Sequence, residues 1–264
     1  MNRILIGNSN NKIGVIKQDT IIIDIKENTN ILIKDILFKK YLFNVYDAKL
    51  NVLIVNENKR DVNYEINIYK GNVSFNNLSY NSSDVKLDIN LNKENSNILV
   101  YNSVISKKKQ KYEISINHNK KLTNSNIYNN GVTKEDGSIL FNVSSFVPKK
   151  SKDCVVNQNS KIITLNDTND NEINPILLID EFECEAKHAA FIGNFNQNEL
   201  FYLMSRGLSK QEAMNLLING LLIGTLDVCF NEKENLKKKL NDDWRLRKWI
   251  LIRTLTFYHR VLFI

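Results

Sequence analysis

The feature that most constrains this chain is period-two patterning in a long series of short runs. TIIIDIK from Thr20, NILIKDI from Asn30, LNVLIVN from Leu50, VNYEINIYK from Val62 and DVKLDINL from Asp84 mostly alternate apolar and polar residues. In the last run Val85, Leu87, Ile89 and Leu91 share one side, and Asp84, Lys86, Asp88 and Asn90 share the other. That division follows from the alternation of side chains along a strand, and it predicts one buried and one wet face. Such runs extend from Ile4 to about Phe191, which predicts a mainly β domain over residues 1–193.

The intervals between runs are rich in Asn, Ser, Asp and Lys, and the whole chain has two prolines, Pro148 and Pro175. Asn is therefore expected to carry much of the tight turning, since it tolerates the left-handed conformation. Short strands with such corners allow a sandwich, a barrel or a β-solenoid, and no fixed-period repeat chooses between them.

The pattern changes after Gly193, which predicts a helical subdomain over residues 194–264. Leu200, Phe201, Leu203 and Met204 give one helix an apolar stripe between Gln197 and Arg206, and Ala213, Leu216, Leu217 and Leu221 give a second between Lys210 and Leu222. Asn196 is the expected N-cap of the first and Gly207 its stop; Ser209 with Glu212 forms a capping box for the second. Beyond it NEKENLKKKLNDDW reads as a polar helix. RLRKWILIRTLTFYHRVLFI then forms an atypical basic, apolar tail, interrupted by charge too often to span a membrane, and is read as a docking or interfacial helix.

A chain of 264 residues with 42% hydrophobic and 25% charged residues can bury a substantial core. The net charge of +7 is spread over scattered lysines without a nucleic-acid reading motif, so no nucleic-acid partner is expected. Cys154, Cys184 and Cys229 lack the density and even count of a disulfide scaffold. With no signal-peptide core at the start and no transmembrane segment, the expected location is cytoplasmic.

The segment KHAAFIGNFNQNELFYLMSRGLSKQEAMNLLINGLL from Lys187 resembles the C-terminal signature of the SufB/SufD family of iron-sulfur cluster assembly proteins. NQNSKIITL from Asn157 is similar to a family rung in which a glutamine precedes a short apolar strand, and Asn174-Pro175 to the turn that opens the next one. The likeness covers roughly residues 157–222. It implies a right-handed parallel β-helix followed by a small α-helical subdomain. It also implies a non-catalytic scaffold that pairs with a SufB-like subunit or a second copy of itself and docks a SufC-like ATPase. No Walker A sequence is present, so hydrolysis of ATP by this chain itself is not expected.

SufB-type chains carry a cysteine after that glutamine and a His-Glu pair ahead of the helices. Here Asn159 and Ala189 occupy the cysteine and glutamate positions, leaving His188, a pattern that resembles SufD, although FYLMSRGLS from Phe201 and Asn219-Gly220 look SufB-like. His188 is thus the expected ligand for iron or for a transient cluster shared with a partner subunit, no cofactor being held permanently. Phe201, Tyr202, Arg206 and Gly207 mark the expected ATPase-docking helices; taken without the likeness, Phe201, Tyr202 and Met204 read simply as helix packing.

Blander readings stand beside these. A single histidine at a strand end is ordinarily a surface or capping residue. Cys184 would sit about 13 Å from His188 in a continuous strand, so it reads as a small core residue rather than a second ligand. Cys154, Cys229, His118 and His259 have no convergent partners in the sequence and read as structural. Asp180, Glu181, Glu183 and Glu185 read as a solvated strand edge. Their acid-base alternative would be a carbohydrate-active β-helix enzyme.

Overall fold

The computed structural model describes residues 2–6, 14–34, 36–56, 60–80, 83–166, 170–224, 226 and 235–238. The chain divides into two compact units, Met1–Asn194 and Phe195–Ile264. Cys229, His259, the expected polar helix apart from residues 235–238, and the whole basic apolar tail lie outside the described residues.

In chain order the first unit contains β1 (Asn2–Ile6), β2 (Val15–Lys17), β3 (Thr20–Ile25), β4 (Thr29–Ile33), β5 (Lys40–Asn56), β6 (Val62–Ser79) and β7 (Val85–Leu91). There follow β8 (Ser96–Ser106), β9 (Lys109–His118), β10 (Asn124–Thr133), β11 (Ser138–Val147), β12 (Cys154–Thr164), β13 (Glu172–Ile179) and β14 (Cys184–Gly193). Apart from the short antiparallel β2–β3 pair, the strands join in parallel ladders. One ladder runs β3–β5–β6–β7–β9–β11–β13 and the other β1–β4–β5–β6–β8–β10–β12–β14. The chain passes alternately from one ladder to the other and advances one coil for every strand it adds to both, which is a parallel β-solenoid. Of the architectures that periodicity left open, this is the one adopted.

The long strands β5 and β6 belong to both ladders because each bends at its middle. The bend lies at Asp47 (φ 46°) in β5 and at Lys70 (φ 72°) and Gly71 (φ 129°) in β6. A Cβ on Gly71 would stand 2.2 Å from the Ala48 carbonyl oxygen, so only glycine fits this close approach. Lys70 Nζ reaches Asp47 Oδ2 at 2.8 Å across the same corner.

Inward residues of successive coils stack into a continuous core. Tyr41 and Tyr64 lie with ring centroids 5.6 Å apart, Tyr64 and Phe75 5.2 Å, and Tyr112 and Phe141 5.5 Å. Val85, Leu87, Ile89 and Leu91 are all buried, as their alternation predicts. Each large apolar side chain enclosed this way contributes about 1.5–3 kcal/mol.

The asparagines behave differently from the expectation. Among the described non-glycine residues with positive φ, Asn95 is the only asparagine; the others are Gln18, Asp47, Lys70, Leu122, Glu135, Lys150 and Asp153. Many asparagines instead stack at equivalent positions of adjacent coils. On one outer face Asn67 donates to Asn44 at 3.1 Å, Asn90 to Asn67 at 2.9 Å and Asn117 to Asn90 at 2.9 Å. Inside the solenoid Asn102 donates to Asn129 at 2.8 Å, and Asn129 to Ser160 at 2.9 Å. Parallel register brings identical amides about 4.8 Å apart, the spacing at which one side-chain N–H reaches the next side-chain oxygen. The pairs are separated in sequence by 21, 23, 27, 31 and 32 residues in turn toward the C-terminus. The coils lengthen along the chain, so no single period exists to be read.

In the second unit α1 (Gln197–Ser205) is capped by Asn196, whose side chain accepts from the Asn198 backbone N–H, and stops at Gly207 with φ 94°. The α2 helix (Lys210–Leu222) opens on the Ser209–Glu212 capping box. Residues 235–238 are helical, with Leu236 buried. The buried residues of the two helices are Leu200 in α1 and Ala213, Ile218 and Leu222 in α2. Phe201, Tyr202, Met204 and Leu216 are exposed, correcting the expectation that the first three are helix packing and that Leu216 lines a buried stripe. Two turns pack mainly along one line of contact, and these four side chains fall off it.

Candidate functional site

His188 lies in the middle of β14, in register with Gln158 of β12. Since paired residues of a parallel ladder point the same way, both belong to the inward side. Gln158 is buried there, donating to Ser145 Oγ at 2.8 Å and to the Ile176 carbonyl at 3.3 Å, whereas His188 is exposed. Within this unit β13 and β14 form the last coil, so among the described residues His188 has Gln158 on one side and no further strand on the other.

Asn159 and Ala189 are also register partners, and both are exposed on the outward side. The two positions singled out by the family likeness therefore meet across one ladder. His188, adjacent in sequence to Ala189, projects from the opposite face of the strand. Neither Asn159 nor Ala189 supplies a thiolate or carboxylate, and both lie on the face opposite to His188. Among the described residues no group of three His, Cys, Asp or Glu side chains converges to hold a metal ion.

Three of the four acidic residues, Glu181, Glu183 and Glu185, are engaged in local contacts. Glu181 accepts from the backbone N–H groups of Lys150, Phe182 and Glu183. These bonds, led by that of Glu183, hold its carboxyl below the usual range. Glu183 pairs with Lys152 at 2.8 Å and Glu185 with Lys187 at 2.7 Å. A groove of about 640 Å³ elsewhere, lined by Lys86, Glu113, Ser115, Asn142, Ser144 and Asn174 among others, contains one carboxylate. A glycosidase centre needs two, some 5–9.5 Å apart. Asn174-Pro175, expected to open a strand, lies inside β13; a proline is tolerated there because β13 has a ladder partner, β11, on one edge only.

Cys154 and Cys184 are register partners too, and Cys184 is half-buried against the cluster of Val147, Cys154 and Val156. His118 is fully buried; Nδ1 lies 2.8 Å from Thr123 Oγ1 and Nε2 2.9 Å from Ser125 Oγ. Burial pushes its pKa down to about 4, so it is a neutral structural imidazole at neutral pH.

Sequence reasoning missed the apolar surface of the last coil. Ile176, Leu178, Phe182, Phe191 and Ile192 are 44–100% exposed. Lys161 Nζ lies 5.4 Å from the Phe191 ring centroid. Ile176, Leu178 and Phe191 take outward positions, paired with Ser144, Phe146 and Lys161, whereas Ile192 is in register with the buried Ile162 and is left uncovered by its place on the final coil. In the second unit Phe201 and Tyr202 are 74% and 57% exposed, and the Arg206 guanidinium lies 5.2 Å from the Tyr202 ring centroid.

A family model described as "SUF system FeS cluster assembly, SufBD core domain" matches residues 47–221, which takes in most of the stretch marked by the sequence motifs and begins well upstream of it. The chain is 38% identical over 89 residues, 34% of its length, to the iron-sulfur cluster assembly protein SufD of Bacillus subtilis. It is 47% identical over 47 residues, 18% of its length, to an iron-sulfur cluster assembly SufBD family protein of Pyrococcus horikoshii. The matches span 20% and 10% of those two relatives.

Proposed function

Given that this chain belongs to the SufB/SufD family of the SUF iron-sulfur cluster assembly system, we propose that it is a SufD-like scaffold subunit. It pairs through its last coil with a SufB-like subunit or a second copy of itself, and docks a SufC-like ATPase on α1 and α2. The single observation that carries this reading is the last coil, which exposes His188 as well as Ile176, Leu178, Phe191 and Ile192 and in which, among the described residues, β13 and β14 are paired along one edge only. An open apolar strand edge is unstable in isolation and pairs readily with another strand. A partner seated there would bring its own side chains to His188, and an imidazole suits iron alongside a thiolate from that partner. The chain's contribution is then one ligand and a rigid frame.

Co-expression with a SufB-like subunit and a SufC-like ATPase, followed by anaerobic reconstitution, tests both parts. Co-purification of all three is expected, with less iron and sulfide retained by His188→Ala than by wild type. Failure to associate would remove the scaffold assignment. Equal iron and sulfide in both proteins would remove the ligand role alone.

A further inference from the structure

We propose that Cys154 and Cys184 form a reversible disulfide that ties β14 covalently to the coil beneath it. The two residues open their strands as register partners of the β12–β14 ladder. Adjacent strands place such Cα atoms about 4.8 Å apart, within the 4.4–6.8 Å that a disulfide spans. Both side chains point inward into one cluster with Val147, Val156, Leu177, Ile179 and Ala186. Both are free thiols in this structure.

The contacts around the sulfurs are few and can be exchanged. Cys154 Sγ lies 3.1 Å from Thr123 Oγ1 and donates weakly to the Lys120 and Lys152 carbonyls, at 3.4 and 3.8 Å. Cys184 Sγ donates to the Glu181 carbonyl at 3.2 Å. The parallel Cβ directions of an in-register pair require one strand to lean toward the other. In the solenoid β14 has a ladder partner on one edge only, which leaves it freer than an interior strand to do so.

The oxidant is a low-molecular-weight disulfide such as oxidised glutathione. The half-exposed Cys184, as thiolate, attacks one sulfur of the oxidant and expels the first small thiolate, forming a mixed disulfide. Cys154, as thiolate, then attacks the Cys184 sulfur and expels the second. Two protein thiols become one disulfide, the oxidant becomes two thiols, and the two protons pass to the departing thiolates. A bond in this leaning geometry is strained, hence readily reduced, and belongs to the labile rather than the structural kind. It would fix the register of the strand that carries His188 four residues further on. The pair stands whether or not His188 binds iron.

The full chain carrying Cys229→Ser leaves these two thiols alone. After treatment with oxidised glutathione, non-reducing tryptic mapping should give residues 153–161 linked to residues 162–187, because cleavage at Lys161 separates the two cysteines. Thiol titration should fall by two groups per chain and recover with dithiothreitol. The unfolding midpoint should rise by roughly 5 °C on oxidation, since a loop of about thirty residues is closed. Cys184→Ser should show none of these changes. Two thiols that remain titratable, or a stable glutathione adduct on Cys184 without the cross-link, would overturn the proposal.

Discussion

Asn159 on β12 and Ala189 on β14 are register partners with both side chains exposed on the outer face of the last two coils. Side chains so placed lie about 5 Å apart, close enough to share a ligand. The double substitution Asn159→Cys with Ala189→Glu should therefore create a thiolate-carboxylate pair that binds ferrous iron in anaerobic titration, where wild type does not. Because both positions are exposed, the stability of the reduced protein should change by no more than about 0.5 kcal/mol. An unaltered iron titration would mean that the pair cannot converge without another chain.

The buried amide ladder predicts a larger cost inside than outside. Asn129→Ala removes the acceptor of Asn102 and the donor to Ser160, both enclosed. It should lower stability by about 2–4 kcal/mol in urea unfolding. Asn90→Ala breaks two similar bonds on the half-exposed outer face, where water replaces them, and should cost about 1 kcal/mol or less.

Tyr64 is enclosed between Tyr41 and Phe75, and its hydroxyl makes no hydrogen bond among the described residues. Burial holds that phenol far above its ordinary pKa. Tyr64→Phe keeps the ring contacts and removes a desolvated polar group, so it should be neutral or stabilising by about 1 kcal/mol. Phe75→Ala, by contrast, opens a cavity and should cost about 3–5 kcal/mol.

The buried His118 sets a pH dependence with a definite sign. Its pKa falls from 6.5 to about 4 on folding, so between these values the unfolded chain binds a proton that the folded chain refuses. Stability from this group is complete above pH 6.5 and is lost as pH falls toward 4, by at most about 3 kcal/mol. Denaturant midpoints measured across that window should decline more steeply in wild type than in His118→Gln. Parallel curves would assign the decline to other groups.

Phe201 and Tyr202 are exposed on α1, so neither side chain contributes much to folding. Phe201→Ala with Tyr202→Ala should leave thermal unfolding nearly unchanged, within about 0.5 kcal/mol, and weaken co-purification with a SufC-like ATPase at least tenfold. Unchanged co-purification would move the docking surface elsewhere.

What the sequence determined by itself was local or motif-borne. Alternation in residues such as Val85 to Leu91 specified strands and their buried side, because a period of two depends only on neighbouring residues. Asn196, Gly207 and the Ser209–Glu212 box specified the ends of both helices, because capping acts over three or four residues. The signature around His188 marked the family. The tertiary structure decided everything that depends on register between coils. Asn44, Asn67 and Asn90 stack rather than turn, Cys154 meets Cys184, Asn159 meets Ala189, and Ile192 lies uncovered while its partner one coil earlier, Ile162, is core. These pairings join residues 23–30 positions apart through coils of unequal length. No short-range pattern encodes such a distance. Only the closed path of each coil fixes which side chain lies above which, and only the end of the solenoid decides which of them is left without a neighbour.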